Sequence, residues 1–236
     1  MSETSRATCP ARLESAFAGT GDYMARVDAL IEAIRDQDRS IVVFVREALK
    51  DETHPHVLAT MASVIGQLGK TQDATELVPL FHHEDTRVVA NALDAARRLA
   101  FEVDLFSLSV VMDHDDPRIT ANAIALLAVS EAGIVCNVIE KRFEISAPRQ
   151  RCSLAHVLAV HGLEPGRTRL MLQLLEGENQ PLVIQSLLES LSKIADAKLS
   201  AEFSQYLDNI LANAGESKAE LIRRWSNERE RRIGNE

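Results

Sequence analysis

Histidine and acidic side chains cluster at two points of the 236-residue sequence, in His82-His83-Glu84-Asp85 and in His114-Asp115-Asp116. Imidazole and carboxylate groups are common zinc ligands, so these runs could hold a metal. His83 and His114 lie 31 residues apart, at the same place in a repeat described below. Packed helices lie roughly 8 to 10 Å apart, whereas zinc needs several ligands at about 2.0 to 2.1 Å from one point. We therefore expect solvated turns here and no metal.

Other chemical motifs are equally incomplete. Gly69-Lys70-Thr71 resembles the end of a phosphate loop, but the first glycine would have to be residue 64, which is Val64. There is no Gly-x-Ser-x-Gly or Cys-x-x-Cys sequence, and the cysteines have no framework spacing. Cys136 and Cys152 lie in apolar helical patterns, as small hydrophobic residues would. The sequence assigns no catalytic residue and no cofactor, so we expect a protein that is not an enzyme.

A repeat organises the elements that carry these residues. Pro55, Thr86, Pro117 and Pro148 are each separated by 31 residues, and Pro181 follows after 33. The second, sixth and tenth residues after these anchors are almost all apolar, which predicts a helix that begins at each anchor and buries one stripe. Similar columns six and nine residues before each anchor predict a preceding helix. Each repeat is therefore a helix A, a short turn and a helix B.

The turns Asp85-Thr86-Arg87-Val88 and Asp116-Pro117-Arg118-Ile119 place a capping Asp at the start of helix B. With the alanine-rich helices that follow them, they resemble the HEAT-repeat family over about residues 40–212. The resemblance implies an all-α protein, an α-α superhelix built as a right-handed solenoid of antiparallel helical hairpins. We expect one solenoid domain over residues 21–236, closed by capping helices at 23–35 and about 217–233. Residues 1–20 are expected to form a weakly ordered lead-in, and helix ends are expected at Gly69, Gly133, Gly162 and Gly177.

The charge limits the partners. A formal net charge of -9 and an isoelectric point near 5.3 disfavour binding to phosphate-rich surfaces, so we expect neither nucleic acid nor membrane as a partner. The first residues contain no apolar export signal, and the odd number of cysteines fits a reducing compartment. We expect a cytoplasmic protein.

The fifth residue after each anchor is small and polar in every repeat. On a helical wheel this column borders the buried stripe, so its side chains could join neighbouring B helices through hydrogen bonds. Direct contact with a ligand is the alternative. The column consists of Thr60, Asn91, Asn122, Ser153 and Ser186.

The B helices of the third and fourth repeats are apolar on their outward side as well, at Ala125, Val129, His156 and Val160 among others. A helix that is apolar all round should be covered on both sides. We expect a central groove here that binds an amphipathic helix or peptide, a second copy of the chain, or its own N-terminal segment. Alternatively, the small residues only permit tight curvature.

The sequence therefore predicts a non-catalytic scaffold or adaptor that binds an unidentified protein partner, with a homodimer through the groove as one form. HEAT-like proteins of signalling complexes suggest that setting by analogy. The alternative is a HEAT-like enzyme or enzyme subunit of the bilin-lyase type, a branch whose short repeats look similar and which attaches tetrapyrroles to cysteines. The partner-binding residues predicted from the ladder and groove are Asn91, Asn122, Ala125, Val129, Ser153, His156 and Val160.

Overall fold

The computed structural model describes residues 11–18, 22–160, 166–194 and 201–233, and these residues contain helices and no β-strand. The α-helices, in chain order, are α1 Ala11–Phe17, α2 Tyr23–Arg35, α3 Val42–Ala48, α4 Pro55–Leu68, α5 Thr86–Arg98, α6 Leu105–Met112, α7 Pro117–Ile145, α8 Pro148–Val160, α9 Arg167–Gly177, α10 Pro181–Ile194, α11 Ala201–Asn213 and α12 Glu216–Ile233. Two 3₁₀ segments, Arg39–Ile41 and Thr71–His82, lie among them. The predicted fold class, an α-α superhelix, is confirmed.

All five predicted anchors begin a helix: α4, α5, α7, α8 and α10 start at Pro55, Thr86, Pro117, Pro148 and Pro181. Proline lacks the backbone N–H that a first-turn position leaves unpaired, so it starts a helix without losing a hydrogen bond. Asp85 and Asp116 cap α5 and the start of α7 by accepting from the backbone N–H groups of Arg87 and Arg118, each at 2.9 Å. The repeat period is therefore the period of the helix starts.

The predicted apolar stripe is the buried face of the B helices. Every residue at the sixth and tenth positions after an anchor has no exposed surface, from Met61 and Ile65 in α4 to Leu187 and Leu191 in α10. At the second position four of the five residues are equally buried, and Gln150 is the exception. Burying one such aliphatic side chain stabilises the fold by about 1.5 to 3 kcal/mol, so these columns supply much of the core.

The chain divides into two compact units, residues 1–130 and 131–236. In the first unit, α4 and α5 pack so closely that a methyl group on Gly66 would lie 2.6 Å from the Cα of Ala95. Helix α2 packs against α4 through a face centred on Leu30, while Met24 and Ile31 of the predicted capping face remain partly exposed. Helix α1 lies within the predicted lead-in and packs on α2, with Leu13 buried. The remainder of the lead-in, residues 1–10, 19 and 20, lies outside the described residues.

The second unit contains α8 to α12, of which α8 and α10 are the most extensively packed pair. Helix α12 is tied to the end of α9 by Lys218, whose side-chain amine donates to the carbonyl oxygens of Glu176 at 2.7 Å and Glu178 at 2.9 Å. Lys218 is buried, and desolvation lowers its pKa. Its ammonium group therefore satisfies two carbonyls that the end of a helix leaves without a donor.

Helix α7 crosses the division between the units, and its backbone leaves helical geometry at Glu131. The predicted helix end at Gly133 is therefore wrong: Gly133 lies within α7, and the interruption occurs two residues earlier. Of the other predicted ends, Gly69 caps α4, Gly177 is the last residue of α9, and Gly162 lies outside the described residues. The prediction of a single solenoid domain stays a prediction.

By length and composition alone, α7 is the one helix of the described residues that could cross a membrane. Core helices of soluble proteins pass the same test, and 44% of its apolar window is buried inside the protein. The non-helical backbone at Glu131 would also leave hydrogen bonds unmade in lipid.

Candidate functional site

The histidines that suggested a metal serve the turns before the B helices. Nδ1 of His83 accepts a hydrogen bond from the backbone N–H of Asp85 at 2.9 Å, and Nδ1 of His114 accepts from Asp116 at 2.8 Å. Glu52 and Glu178 occupy the same repeat position, three residues before an anchor, and also accept from the N–H two residues later. Within the described part of the chain no three His, Cys, Asp or Glu residues are grouped as metal ligands. The expected solvated turns are therefore capped turns.

The polar column joins neighbouring B helices at three of its five positions. The amide nitrogen of Asn91 donates to the carbonyl of Ala59 at 3.0 Å, and that of Asn122 to Ala90 at 2.9 Å. In the second unit the Ser186 hydroxyl donates to the carbonyl of Cys152 at 3.2 Å. The donor in each case is the fifth residue after an anchor. The acceptor is the fourth residue after the anchor of the preceding repeat. These bonds confirm the structural ladder for those three residues.

The other two members of the column bond within their own helices. The hydroxyl of Thr60 donates to the carbonyl of His56 at 2.8 Å, and that of Ser153 to Arg149 at 3.4 Å. Side chains of Ser and Thr often satisfy themselves in this way inside a helix. The side-chain amides of Asn91 and Asn122 are bonded to carbonyls of neighbouring helices, and the hydroxyl of Ser153 is bonded to its own helix. These three side chains can contact a partner only through atoms that these bonds do not use.

The predicted groove residues fall in both units. In the first unit Ala125 is only 3% exposed and Val129 is half-buried, so Ala125 cannot line an open groove. Its methyl group projects little beyond the backbone, and a shallow neighbouring surface is enough to cover it. In the second unit His156 is exposed and Val160 is 50% exposed. The open part of the predicted groove is therefore on α8.

The exposed face of α8 continues onto α10. Nζ of Lys193 lies 3.4 Å from Nδ1 of His156, and Leu182 of α10 is 59% exposed. His156 is exposed, but partial desolvation of its ring, aided by the positive charge of Lys193, lowers its pKa, so the imidazole is neutral at pH 7. We call Cys152, His156, Val160, Leu182 and Lys193 the α8–α10 face.

Cys152 is not an activated nucleophile. Burial raises the pKa of its thiol, and Sγ lies 3.7 Å from the carbonyl oxygen of Leu182. A nucleophilic cysteine needs a lowered pKa, since the thiolate is the reactive form. The α8–α10 face therefore combines apolar surface, a neutral imidazole and an ammonium group with a thiol whose pKa is raised.

Sequence reasoning did not identify Leu182 or Lys193. Both lie on a helix whose buried stripe was correctly predicted. The position of Lys193 is occupied by unrelated residues in the other repeats, such as Gln67 and Val129, and Leu182 departs from a position that is otherwise His or Arg. Neither residue therefore continues a column of the internal alignment. The one available signal was the direction of their side chains. On a helical wheel aligned by the repeat, Leu182 and Lys193 of α10 point the same way as Cys152 and His156 of α8.

No protein-family model and no curated protein sequence matches the chain. Among solved structures, the chain is similar to the complex of CpcE and CpcF of phycocyanin lyase from Nostoc sp. PCC7120. The match has a TM-score of 0.56 and 17% sequence identity, and it covers 96% of this chain and 98% of that chain. At this identity the likeness shows the fold, a HEAT-like helical repeat.

This finding overturns the prediction of a non-catalytic scaffold, and with it the expectation that the chain is not an enzyme. Absence of a recognisable catalytic motif was the reason for that prediction, and the matched structure is that of a lyase complex. A protein partner is in keeping with the matched complex, which has two different subunits, whereas nothing supports a homodimer. The alternative interpretation of the sequence is therefore the better one.

Proposed function

We propose that the chain is an enzyme or enzyme subunit of the bilin-lyase type, which binds a linear tetrapyrrole and delivers it to a cysteine of an acceptor protein. The observation that carries this proposal is the end-to-end fold match: 96% of this chain aligns with 98% of a phycocyanin lyase chain. A match over both full lengths is what two proteins of one architecture give, whereas a shared hairpin would cover a fraction of each. The α8–α10 face supplies a surface suited to the substrate.

In the proposed reaction a thiol adds across an exocyclic double bond of the tetrapyrrole. The carbon–sulfur bond forms, the double bond becomes single, and the thiol proton ends on the neighbouring carbon, so no oxidant or reductant is needed. Because the pKa of Cys152 is raised, the thiol comes from the acceptor protein. The neutral imidazole of His156 is the group of the α8–α10 face that can accept the thiol proton as the sulfur attacks.

The apolar residues of this face would contact the rings, with Val160 on α8 and Leu182 on α10. Lys193 lies beside His156 and provides a cation for a propionate of the substrate. We propose further that the chain acts in the cytoplasm and works with a second, different subunit, by analogy with the Nostoc complex of CpcE and CpcF.

Incubating the purified chain with phycocyanobilin tests the proposal. Binding should shift the visible absorption of the bilin and induce circular dichroism, and adding an acceptor apoprotein should give bilin fluorescence that survives denaturing electrophoresis. His156→Gln should bind the bilin equally well but slow transfer about 100-fold, the smaller end of the usual contribution of a general base. Cys152→Ser should transfer at the wild-type rate. Failure of the wild-type chain to change the bilin spectrum would overturn the proposal.

A further inference from the structure

Within the second unit, a cleft of about 160 Å³ lies between α10 and α12, apart from the residues of the α8–α10 face. Leu188 and Glu189 line it from α10, and Leu221, Arg224, Trp225 and Glu228 line it from α12. Whole small-molecule sites usually measure about 300 to 1,000 Å³. The cleft is therefore large enough for one or two rings of a longer planar molecule.

Trp225, the single tryptophan of the chain, is held in place at this cleft. Its indole N–H donates to the hydroxyl of Ser192 at 2.6 Å, which ties α12 to α10. The guanidinium of Arg229 lies 5.7 Å from the ring centroid and does not line the cleft. A ring that is already fixed loses little conformational entropy when a ligand stacks on it. Trp225 is thus a prepared apolar surface that the packing of the core does not use.

The charged side chains of the cleft are available to a ligand. Arg224 pairs with Glu228 at 3.1 Å, but the Arg224 side chain is 77% exposed and such exposed pairs contribute little stability. Its guanidinium can therefore exchange Glu228 for a carboxylate of a ligand. On the α10 side, Glu189 accepts a hydrogen bond from the amide of Gln185 at 2.9 Å and has further acceptor capacity.

We infer that the cleft between α10 and α12 binds one end of a linear tetrapyrrole. The inference rests on the proposed function and names a second part of its substrate site. Three features of such a molecule have counterparts here. Its conjugated rings would pack on Trp225, Leu188 and Leu221. A propionate would pair with Arg224, and pyrrole N–H groups would donate hydrogen bonds to Glu189. A carboxylate arm would lie beside Arg224, in the place that Glu228 now takes, and away from Glu189.

Titration of the full chain with biliverdin, followed by bilin circular dichroism, tests the site. Trp225→Ala should weaken binding by about tenfold, a common cost of removing a central aromatic contact, and Trp225→Phe should restore most of it. Phe106→Ala removes an exposed aromatic side chain outside the cleft and should leave the affinity unchanged. Quenching of the single tryptophan in the wild-type chain reports the same event independently.

Arg224→Gln provides a second test if Trp225→Ala folds poorly. Because Arg224 is exposed, replacing it should not disturb the fold. This variant should weaken binding of biliverdin by about tenfold, near the lower end of the range for hydrogen bonds to charged groups, and should leave binding of biliverdin dimethyl ester unchanged. Equal biliverdin affinities in wild type, Trp225→Ala and Arg224→Gln would overturn this inference while the proposed function stands. No binding by the wild-type chain would overturn the proposed function and this inference together.

Discussion

The ionisation of His156 depends on one neighbouring residue and on partial desolvation of its ring. This desolvation lowers the pKa of the imidazole and Lys193, 3.4 Å away, lowers it further. Because the folded protein binds the proton less readily than the unfolded chain, this group makes the fold more stable as pH rises through the unfolded pKa near 6.5. This contribution to the stability of the fold is lost as pH falls, because His156 must then be protonated beside the ammonium group of Lys193.

Removing the charge at position 193 should therefore raise the pKa of His156. We expect Lys193→Met to move the titration of the His156 ring protons, followed by NMR, towards the ordinary value without reaching it, since the partial desolvation remains. Lys193→Arg keeps the positive charge and is the matched control, with a pKa close to that of the wild type. A titration unchanged by Lys193→Met would show that the 3.4 Å contact does not exist in solution.

At the scale of single elements, two helices end in a backbone conformation that glycine favours but do not contain glycine there. Ala100 after α5 and Gln37 after α2 have φ values of 50° and 55°. In both turns the N–H of the following residue reaches back five residues, from Phe101 to Ala96 and from Asp38 to Ala33, each at 3.0 Å. This is the hydrogen-bond pattern of a Schellman motif, in which the left-handed residue is usually glycine.

Ala100→Gly should stabilise the protein by about 0.5 to 1 kcal/mol, because a non-glycine residue in the left-handed region carries a steric cost of roughly 1 to 2 kcal/mol, partly offset by the greater freedom of glycine when unfolded. Urea denaturation measures the difference. Ala25→Gly, at an exposed position within α2, is the control and should destabilise by a similar amount. A loss of stability in Ala100→Gly would contradict the left-handed geometry of this turn.

These helix ends also show where sequence reasoning stops. The starts of the B helices and their buried stripes were predictable because the same residue types recur at a fixed period. The ends at Ala100 and Gln37 were not, since the hydrogen bonds of the motif involve backbone atoms and can form without the expected glycine. The break at Glu131 carries no proline or glycine at its own position, and Gly133 nearby drew the prediction to the wrong residue.

The candidate site was predictable in part for a related reason. His156 and Val160 were found because they interrupt the expected polar surface of a helix, and both are exposed. Ala125 was included by the same argument and is buried, because helical periodicity gives the direction of a side chain and not what lies over it. Trp225 lies in the helix predicted over about residues 217–233, but its cleft depends on how α10 and α12 approach each other, which no pattern within one helix encodes.

At the scale of the whole molecule, the two compact units predict where a local loss of stability is felt. Lys218→Met leaves the carbonyls of Glu176 and Glu178 without their donor, at a cost of about 1 to 3 kcal/mol for buried polar groups. In repeat proteins each element contacts its neighbours only, so opening can remain local. We expect faster amide hydrogen exchange in α9, α10 and α12, with α4 and α5 unchanged.

Lys193→Met is the control, since it removes an exposed lysine from the same unit and should leave the exchange of all these helices unaltered. Equal acceleration in α4 and α5 by Lys218→Met would contradict independent units. It would instead favour the single cooperative solenoid domain predicted from the sequence.

The capped turns use different side chains for the same hydrogen bond. Three residues before an anchor, Glu52, His83, His114 and Glu178 supply the same thing, a lone pair within reach of the N–H two residues later. In the fourth repeat this position is Ile145, which is 80% exposed, and Gln150 supplies an acceptor to Ala147 instead. Within this chain an acidic or an imidazole side chain therefore serves equally at this position, because the turn needs an acceptor atom in the right place and not one residue type. Repeats can thus differ here in residue type while the turn keeps its hydrogen bond.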